Sequence, residues 1–149
     1  QETVLLSNRF SGAYTTHLLK LQNGFLSEEQ NFEPSDLGNE QSGPATSQTA
    51  LDMIQYGDGY IVALSMQQPL ADNCLIRYIN ADGNILQEWL EEFSGVGNIQ
   101  LASFVQDDSD VYLGICGKEN NNELWSSDIT IADIPTRLII KHFTIPAEK

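Results

Sequence analysis

The sequence predicts an all-β fold made of about three repeated units, and three observations carry this prediction. Residues 49–66 match residues 100–117 in residue type, at a constant offset of 51 positions and without a gap. Short runs with the alternation of β-strands cover most of the chain, and Gly, Asn and Asp residues separate them. A repeat of this length built from short strands is typical of arrays in which each unit buries its face against a neighbour.

The N-terminal unit, about residues 1–48, is predicted to begin in the middle of a repeat. Its three strands are predicted at residues 4–8, 17–21 and 25–32, as the second, third and fourth strands of a unit. Asn23-Gly24 separates the last two, which favours a hairpin because both residues tolerate positive φ. Residues 33–48 hold Pro and Gly with almost no apolar side chain, and this composition predicts a surface loop.

The central unit, about residues 49–98, is predicted to hold all four strands. They are expected at residues 50–55, 60–66, 74–80 and 85–93, with glycine-containing turns at 57–59 and 80–84. The last of these runs also fits a helix, because its apolar residues recur at helical spacing. A helix there would make the fold α+β, whereas the repeat favours a strand.

The C-terminal unit, about residues 99–149, is predicted to hold three strands. They are expected at residues 101–106, 111–116 and 138–143. Residues 118–135 are predicted to form a second surface loop, with a short extra strand at 129–131 as an option. The chain is therefore predicted to be a single repeat domain, 1–149, whose units are incomplete at both ends.

The predicted third strands share a pattern of two aliphatic residues followed by a basic one. The three copies are Leu18-Leu19-Lys20, Leu75-Ile76-Arg77 and Ile139-Ile140-Lys141. This pattern predicts strands whose apolar side faces inward and whose charged group reaches the rim of the sheet.

The charge balance restricts the partners of the chain. Its 149 residues contain 21 acidic and 7 basic residues, which gives a net charge of −14. Such a surface is repelled by nucleic-acid phosphates and by anionic lipid, so neither partner is expected. No apolar run reaches the roughly 18 residues of a membrane-spanning helix, so membrane insertion is not expected either.

The central unit resembles the propeller-type repeat of about 50 residues found in bacterial cell-surface and secreted proteins. The elements that carry the resemblance are Asp58-Gly59-Tyr60-Ile61-Val62, Leu75-Ile76-Arg77, Asp82-Gly83-Asn84, Trp89 and Ser94-Gly95-Val96-Gly97. The resemblance covers about residues 49–117 and departs from the family pattern at the turns, which lack the second glycine of a Gly-Gly pair. It implies a β-propeller and a secreted or cell-surface location, and it brings no catalytic motif.

A closed propeller needs about four blades or more, and about three are predicted here. The chain is therefore expected to be a fragment of a longer protein, a self-associating partial propeller, or an all-β domain that only shares the repeat. Open sheet edges and uncovered apolar faces would favour association.

One turn has the residue types of a cation site. Asn80, Asp82 and Asn84 alternate oxygen-bearing side chains around Gly83, a spacing that suits Ca²⁺. The turn lacks the distal Glu of an EF-hand loop, and a plain hairpin turn is the alternative. No Cys/His cluster indicates zinc, and Cys74 and Cys116 are interpreted as two inert thiols, with a single disulfide as the alternative. No other cofactor is predicted.

The residues predict a non-enzymatic, exported module that works through protein–protein contacts, with another protein or a second copy as the partner. The alternative is a carbohydrate-binding module that uses Trp125 and Tyr14 as exposed aromatic platforms. A hydrolase is the third hypothesis, since acids flank Trp89, although His17 and His142 belong to no nucleophile motif.

Overall fold

The structure is a computed structural model and describes residues 1–11, 14–32, 48–66, 73–93, 96–108, 110–119 and 136–143. Within these ranges the fold is all-β, and no helix occurs in them. It follows that this part of the chain contains no helix with the length and apolar character needed to cross a membrane. The all-β prediction is confirmed.

Ten strands form three antiparallel sheets of three, four and three strands. The N-terminal sheet contains β1 (Glu2–Phe10), β2 (Tyr14–Gln22) and β3 (Phe25–Asn31). The central sheet contains β4 (Gln48–Tyr56), β5 (Gly59–Met66), β6 (Asn73–Ile79) and β7 (Ile85–Glu92). The C-terminal sheet contains β8 (Val96–Asp107), β9 (Asp110–Glu119) and β10 (Thr136–Phe143).

The helical alternative for residues 85–93 is wrong. Residues Ile85–Glu92 form β7, in which Trp89 lies opposite Ile76 and Glu88 lies opposite Arg77 of β6. Two of the predicted loops are shorter than expected, because Gln48 begins β4 and Glu119 ends β9. The optional strand at 129–131 and the rest of both loops lie outside the described residues.

The sequence repeat is also a repeat of strand pairing. Met53 lies opposite Val62 in the β4–β5 pair, and Phe104 lies opposite Leu113 in the β8–β9 pair, so both partners are shifted by 51 positions. The β4–β5 pair has one register shift near its start, before Asp52, and the β8–β9 pair has two, before Ile99 and before Leu101. The three sheets do not close into a barrel or a propeller within the described residues.

The central sheet is covered on both faces, because the three sheets stack on one another. One face carries Val62, Leu64 and Leu75, which pack against Leu18 and its neighbours in the N-terminal sheet. The other face belongs to a cluster with the C-terminal sheet, made up of Ile61, Ala63, Cys74, Ile76, Phe93, Val96, Ile99, Phe104, Val111, Leu113 and Ile115. Since successive side chains of a strand point to opposite faces, a strand covered on both sides needs a continuous apolar run, as β5 has.

The two junctions between sheets are built in the same way. At each junction the first strand of a sheet packs against strands of the preceding sheet: β4 lies against β1 and β2, and β8 lies against β4, β5 and β6. A polar side chain holds each of these strands by its backbone. The Asn8 side chain accepts a hydrogen bond from the Ala50 amide (3.0 Å) and donates one to the Ala50 carbonyl (2.9 Å). The Asp52 carboxylate accepts one from the Phe104 amide at 2.7 Å.

The prediction that the basic residue of the third strand reaches the rim of the sheet is wrong for Arg77 and Lys20, and the Lys141 side chain lies outside the described part of the chain. The Arg77 side chain is only 1% exposed, and its Nε donates to Glu88 Oε2 at 3.0 Å. Its guanidinium carbon lies 5.9 Å from the centroid of the Phe32 ring, so the charge sits between the first two sheets. Lys20 is also buried, with its Nζ 3.3 Å from Glu28 and 3.6 Å from Asp82.

The Leu18-Leu19-Lys20 triplet is also shifted by one residue relative to the other two triplets of this pattern. Leu18 and Leu75 belong to the same cluster and face each other across the first junction. In a stack of repeated sheets, equivalent residues should all face the preceding sheet or all face the next one. Val62 and Leu113 are equivalent, and each faces the sheet that precedes its own. Leu18 faces the next sheet of the stack, and so does Ile76, which faces the C-terminal sheet. Leu18 therefore corresponds to Ile76 and not to Leu75, because a shift of one residue exchanges the two faces of a strand.

Candidate functional site

The outer face of the C-terminal sheet is apolar, no other described residues cover it, and we call it the C-terminal face. Its large side chains are Leu101, Val105, Leu138 and Ile140, which are 67%, 59%, 72% and 69% exposed. Tyr112, Gly114 and Cys116 of β9 lie between them, since each pairs with a residue of that face. Together these residues line a shallow depression of about 650 Å³.

The same face of the central sheet is buried. By the offset of 51, Val105, Tyr112 and Gly114 correspond to Ile54, Ile61 and Ala63. Ile61 and Ala63 are fully buried under the C-terminal sheet. The C-terminal face therefore has the residue types of a surface that a further sheet covers.

A polar rim borders this face at the end near the β8–β9 turn. His142 Nε2 lies 3.2 Å from Asp110 Oδ1, and the His142 ring lies 5.0 Å from the Tyr112 ring between centroids. A contiguous apolar patch with polar groups at its edge is typical of a surface that binds another protein.

The outer face of the N-terminal sheet, which we call the N-terminal face, is half apolar. Leu5 lies opposite Leu19, and Leu21 lies opposite Leu26. Leu5 and Leu26 are 43% and 56% exposed. This face points away from the central sheet, because Leu6 and Leu18 on the opposite side pack against it.

The other half of the N-terminal face carries a polar network. His17 Nε2 lies 2.9 Å from the Thr15 hydroxyl, and His17 Nδ1 lies 2.9 Å from Glu29 Oε1 without hydrogen-bond alignment. The same carboxylate oxygen lies 2.7 Å from Arg9 Nη1. A hydroxyl, an imidazole and a carboxylate are the groups of a nucleophilic triad, but here the carboxylate is engaged by Arg9 and is not aligned on the ring. The network fits a structural role.

A second cavity, of about 350 Å³, lies between the N-terminal sheet and the β6–β7 turn. Its lining consists of Gln30, Asn31, Phe32, Arg77, Ile79, Gly83, Asn84 and Ile85. Three side-chain amides surround one aromatic ring, and the Arg77 charge is compensated by Glu88. This composition suits a small polar ligand.

The predicted cation residues form a turn that holds itself together. The Asn80 side-chain oxygen accepts hydrogen bonds from the amides of Asp82 (3.0 Å) and Asn84 (2.9 Å). The Asp82 carboxylate points toward Lys20, whose pKa is lowered by burial but raised more by Glu28 and Asp82, so that the net shift is upward. The described residues contain no group of three His, Cys, Asp or Glu side chains arranged for a metal ion. A calcium site here stays a prediction.

The predicted aromatic platforms lie outside the part of the chain whose side chains are described, so they stay a prediction. Trp125 lies outside the described residues, and Tyr14 begins β2 opposite Phe10, with its side chain outside the described part of the chain. Trp89 is half-buried against the apolar cluster between the central and C-terminal sheets, and its Nε1 donates to Glu91 at 2.9 Å.

Both cysteines are free thiols, so the alternative of a disulfide between them is wrong. Cys74 is fully buried, and its Sγ donates to the Leu64 carbonyl at 3.4 Å. Burial raises the pKa of the Cys74 thiol to about 12, which makes it inert at neutral pH.

Comparison of the chain with protein-family models, with curated proteins and with solved structures finds no match. The resemblance of residues 49–117 to a propeller-type repeat therefore stays a prediction.

Proposed function

We propose that this protein is a non-enzymatic interaction module, exported from its cell, that binds another protein chain through the C-terminal face. The observation that carries the proposal is the exposure of Leu101, Val105, Leu138 and Ile140, between 59% and 72%, on a face whose counterpart in the central sheet is buried. Burial of one large aliphatic side chain stabilises by roughly 1.5–3 kcal/mol, so four of them can drive a specific contact after the costs of association.

The charge of the molecule supports the same function. A net charge of −14 keeps an exposed apolar face from causing general precipitation, because the molecules repel one another at long range. A partner chain that carries a matching apolar surface overcomes this repulsion only at short range. The contact is therefore selective for shape and apolar character.

Site-specific crosslinking tests this proposal. Benzoylphenylalanine replaces Leu138 on the C-terminal face or, as a matched control, Leu86, which is 46% exposed on the outer strand β7. Irradiation is carried out in the medium or extract of the cells that make the protein. We expect discrete crosslinked protein species from position 138 and none from position 86. The same crosslinking pattern from both positions, or none from either, would contradict the proposal.

A carbohydrate-binding function is the second candidate, and the cavity beside Phe32 favours it. Sugars are commonly held by an aromatic ring together with amide groups, and this cavity offers both. The test is calorimetric titration with a panel of neutral sugars, comparing the wild type with Asn84→Ala and with Gln55→Ala, which changes an exposed residue of β4. Loss of binding in Asn84→Ala alone would support this function, and no binding by the wild type would exclude it for that panel.

A further inference from the structure

We infer that the partner of the C-terminal face is the N-terminal face of a second copy of this chain, so that copies associate head to tail. The inference rests on the proposed function and names the partner of the same site. It follows from how the three sheets of one chain already pack, taken together with the two faces that they leave uncovered.

Each sheet of the stack has a front face, which points toward the next sheet, and a back face, which points toward the preceding one. At the first junction, Leu6 and Leu18 on the front of the N-terminal sheet meet Val62 and Leu64 on the back of the central sheet. At the second, the front of the central sheet meets the back of the C-terminal sheet. Both junctions within the chain are therefore front-to-back.

The two uncovered faces are the two kinds of surface that one further front-to-back junction would need. Among the described residues, the C-terminal face is a front face with no back face on it, and the N-terminal face is a back face with no front face on it. Leu5 holds the repeat position of Val62 and Leu113, once β2 is aligned with Leu18 on Ile76. Val62 and Leu113 are fully buried at the two junctions, whereas Leu5 is 43% exposed.

Some of the ionisable groups on the two faces have a partner within the same chain. On the N-terminal face Arg9 pairs with Glu29, and at the rim of the C-terminal face His142 lies beside Asp110. Burial of an unpaired charge is the main obstacle to closing an interface over ionisable groups, and the Arg9–Glu29 pair reduces this obstacle on the N-terminal face. A front-to-back contact between copies uses different patches on the two partners, so it leads to rings or to open chains of copies.

The test uses purified protein, light scattering and one charge on each face. Ile140→Glu blocks the C-terminal face, Leu5→Glu blocks the N-terminal face, and Leu86→Glu on β7 is the matched control. All three positions are at least 43% exposed, and far-UV circular dichroism checks that each variant keeps its fold.

We expect the mass of the wild type and of Leu86→Glu to rise with concentration above the 16.5 kDa of one chain. Ile140→Glu alone and Leu5→Glu alone stay monomeric. Their equimolar mixture forms a 1:1 pair, because the mixture contains one intact C-terminal face and one intact N-terminal face that fit each other. No pairwise contact other than a front-to-back one gives this complementation.

Two results would overturn the inference. If Leu5→Glu still forms a dimer that Ile140→Glu cannot form, the C-terminal faces bind each other. If the wild type stays monomeric up to about 1 mM, which excludes self-association of even millimolar affinity, the partner is a different protein. Crosslinking from position 138 then separates the two claims, since a crosslinked species from another protein preserves the proposed function while its absence removes both.

Discussion

Arg77 shows how single residues hold the first two sheets together. Its guanidinium lies between the Glu88 carboxylate of the neighbouring strand and the ring of Phe32, which directly follows the last strand of the preceding sheet. A buried charge of this kind is stable only while its partners stay in place, because the energy of transfer from water is offset by a short ion pair and by close packing.

The contribution of Arg77 can be compared with that of an exposed arginine. Arg77→Ala should lower the free energy of unfolding by about 3 kcal/mol, since it removes a packed side chain and leaves Glu88 without this partner. Arg9→Ala breaks the pair with Glu29, in which Arg9 is 52% exposed, and should cost less than about 1 kcal/mol. Urea unfolding of both variants gives the comparison, and equal losses would show that Arg77 is not a packing residue.

Cys74 gives the protein a specific alkaline instability. Its pKa is about 12 in the folded state and near 9.0 when the chain is unfolded, so the unfolded state loses its proton first as the pH rises. Stability is therefore unaffected below pH 9 and falls between pH 9 and pH 12, by at most about 1.4 kcal/mol per pH unit.

Urea unfolding at a series of alkaline pH values measures this slope. Cys74→Val removes the thiol at nearly constant volume, so its stability should decline less steeply than that of the wild type over the same range. Cys116→Val is the matched control, because Cys116 is only half-buried. Parallel pH profiles for the wild type and Cys74→Val would show that other groups cause the decline.

At the scale of single elements, the turn that joins β4 to β5 depends on a close approach of two backbones. A Cβ atom on Gly59 would overlap the carbonyl oxygen of Ile79 in β6, and a backbone atom cannot move aside as the end of a side chain can. Gly24, in the β2–β3 turn, has nothing within 4 Å of the corresponding position but has a φ of +83°.

These two glycines separate steric overlap from backbone strain. Gly59→Ala should lower the free energy of unfolding by about 3 kcal/mol, and Gly24→Ala by about 1 kcal/mol, the usual cost of positive φ for a residue with a Cβ. Thermal or urea unfolding measures both changes. A larger loss for Gly24→Ala than for Gly59→Ala would contradict the described approach of β5 to β6.

The strands and their order could be predicted because alternation and turn residues mark each element directly. The face that each strand presents is harder to predict. Leu18 and Leu19 are both leucine, so the sequence does not distinguish which of them faces the core, and a shift of one residue exchanges the faces. The hydrogen bonds that Asn8 and Asp52 make to the following sheet were not predicted either, since each joins a side chain to the backbone of another sheet.

The candidate site could not be predicted from the residues of its own strands. Leu138 and Ile140 alternate in β10 as Cys74 and Ile76 do in β6, yet one pair is exposed and the other is buried. A face is buried only if another sheet packs on it, and the alternation of residues within one strand does not show whether such a sheet is present. The network of Thr15, His17 and Glu29 needs the β2–β3 register as well, and its only signal in the sequence is the spacing of Thr15 and His17 by two.

At the scale of the whole molecule, charge and apolar surface oppose each other in the proposed assembly. Every copy carries a net charge of −14, while the uncovered faces are largely aliphatic or internally paired. Repulsion acts over a Debye length and is weakened by salt, whereas the apolar contact is not.

Self-association should therefore strengthen with ionic strength. An increase in NaCl from about 0.1 M to about 1 M shortens the Debye length from about 10 Å to about 3 Å. We expect the apparent Kd from light scattering to fall several-fold over this range, with Ile140→Glu as the control that stays monomeric throughout. A contact weakened by salt would instead depend on ion pairs between copies.

The common construction of the two junctions has a consequence for how such a protein changes over generations. Since each first strand packs on the preceding sheet in the same way, and since Val62 and Leu113 repeat after 51 residues, gain or loss of a whole unit leaves both ends of the stack unaltered. If copies associate head to tail as proposed, chains with different numbers of units would still bind one another. Duplication or deletion of DNA can then change the number of units in the chain, while the two faces that meet between copies stay the same.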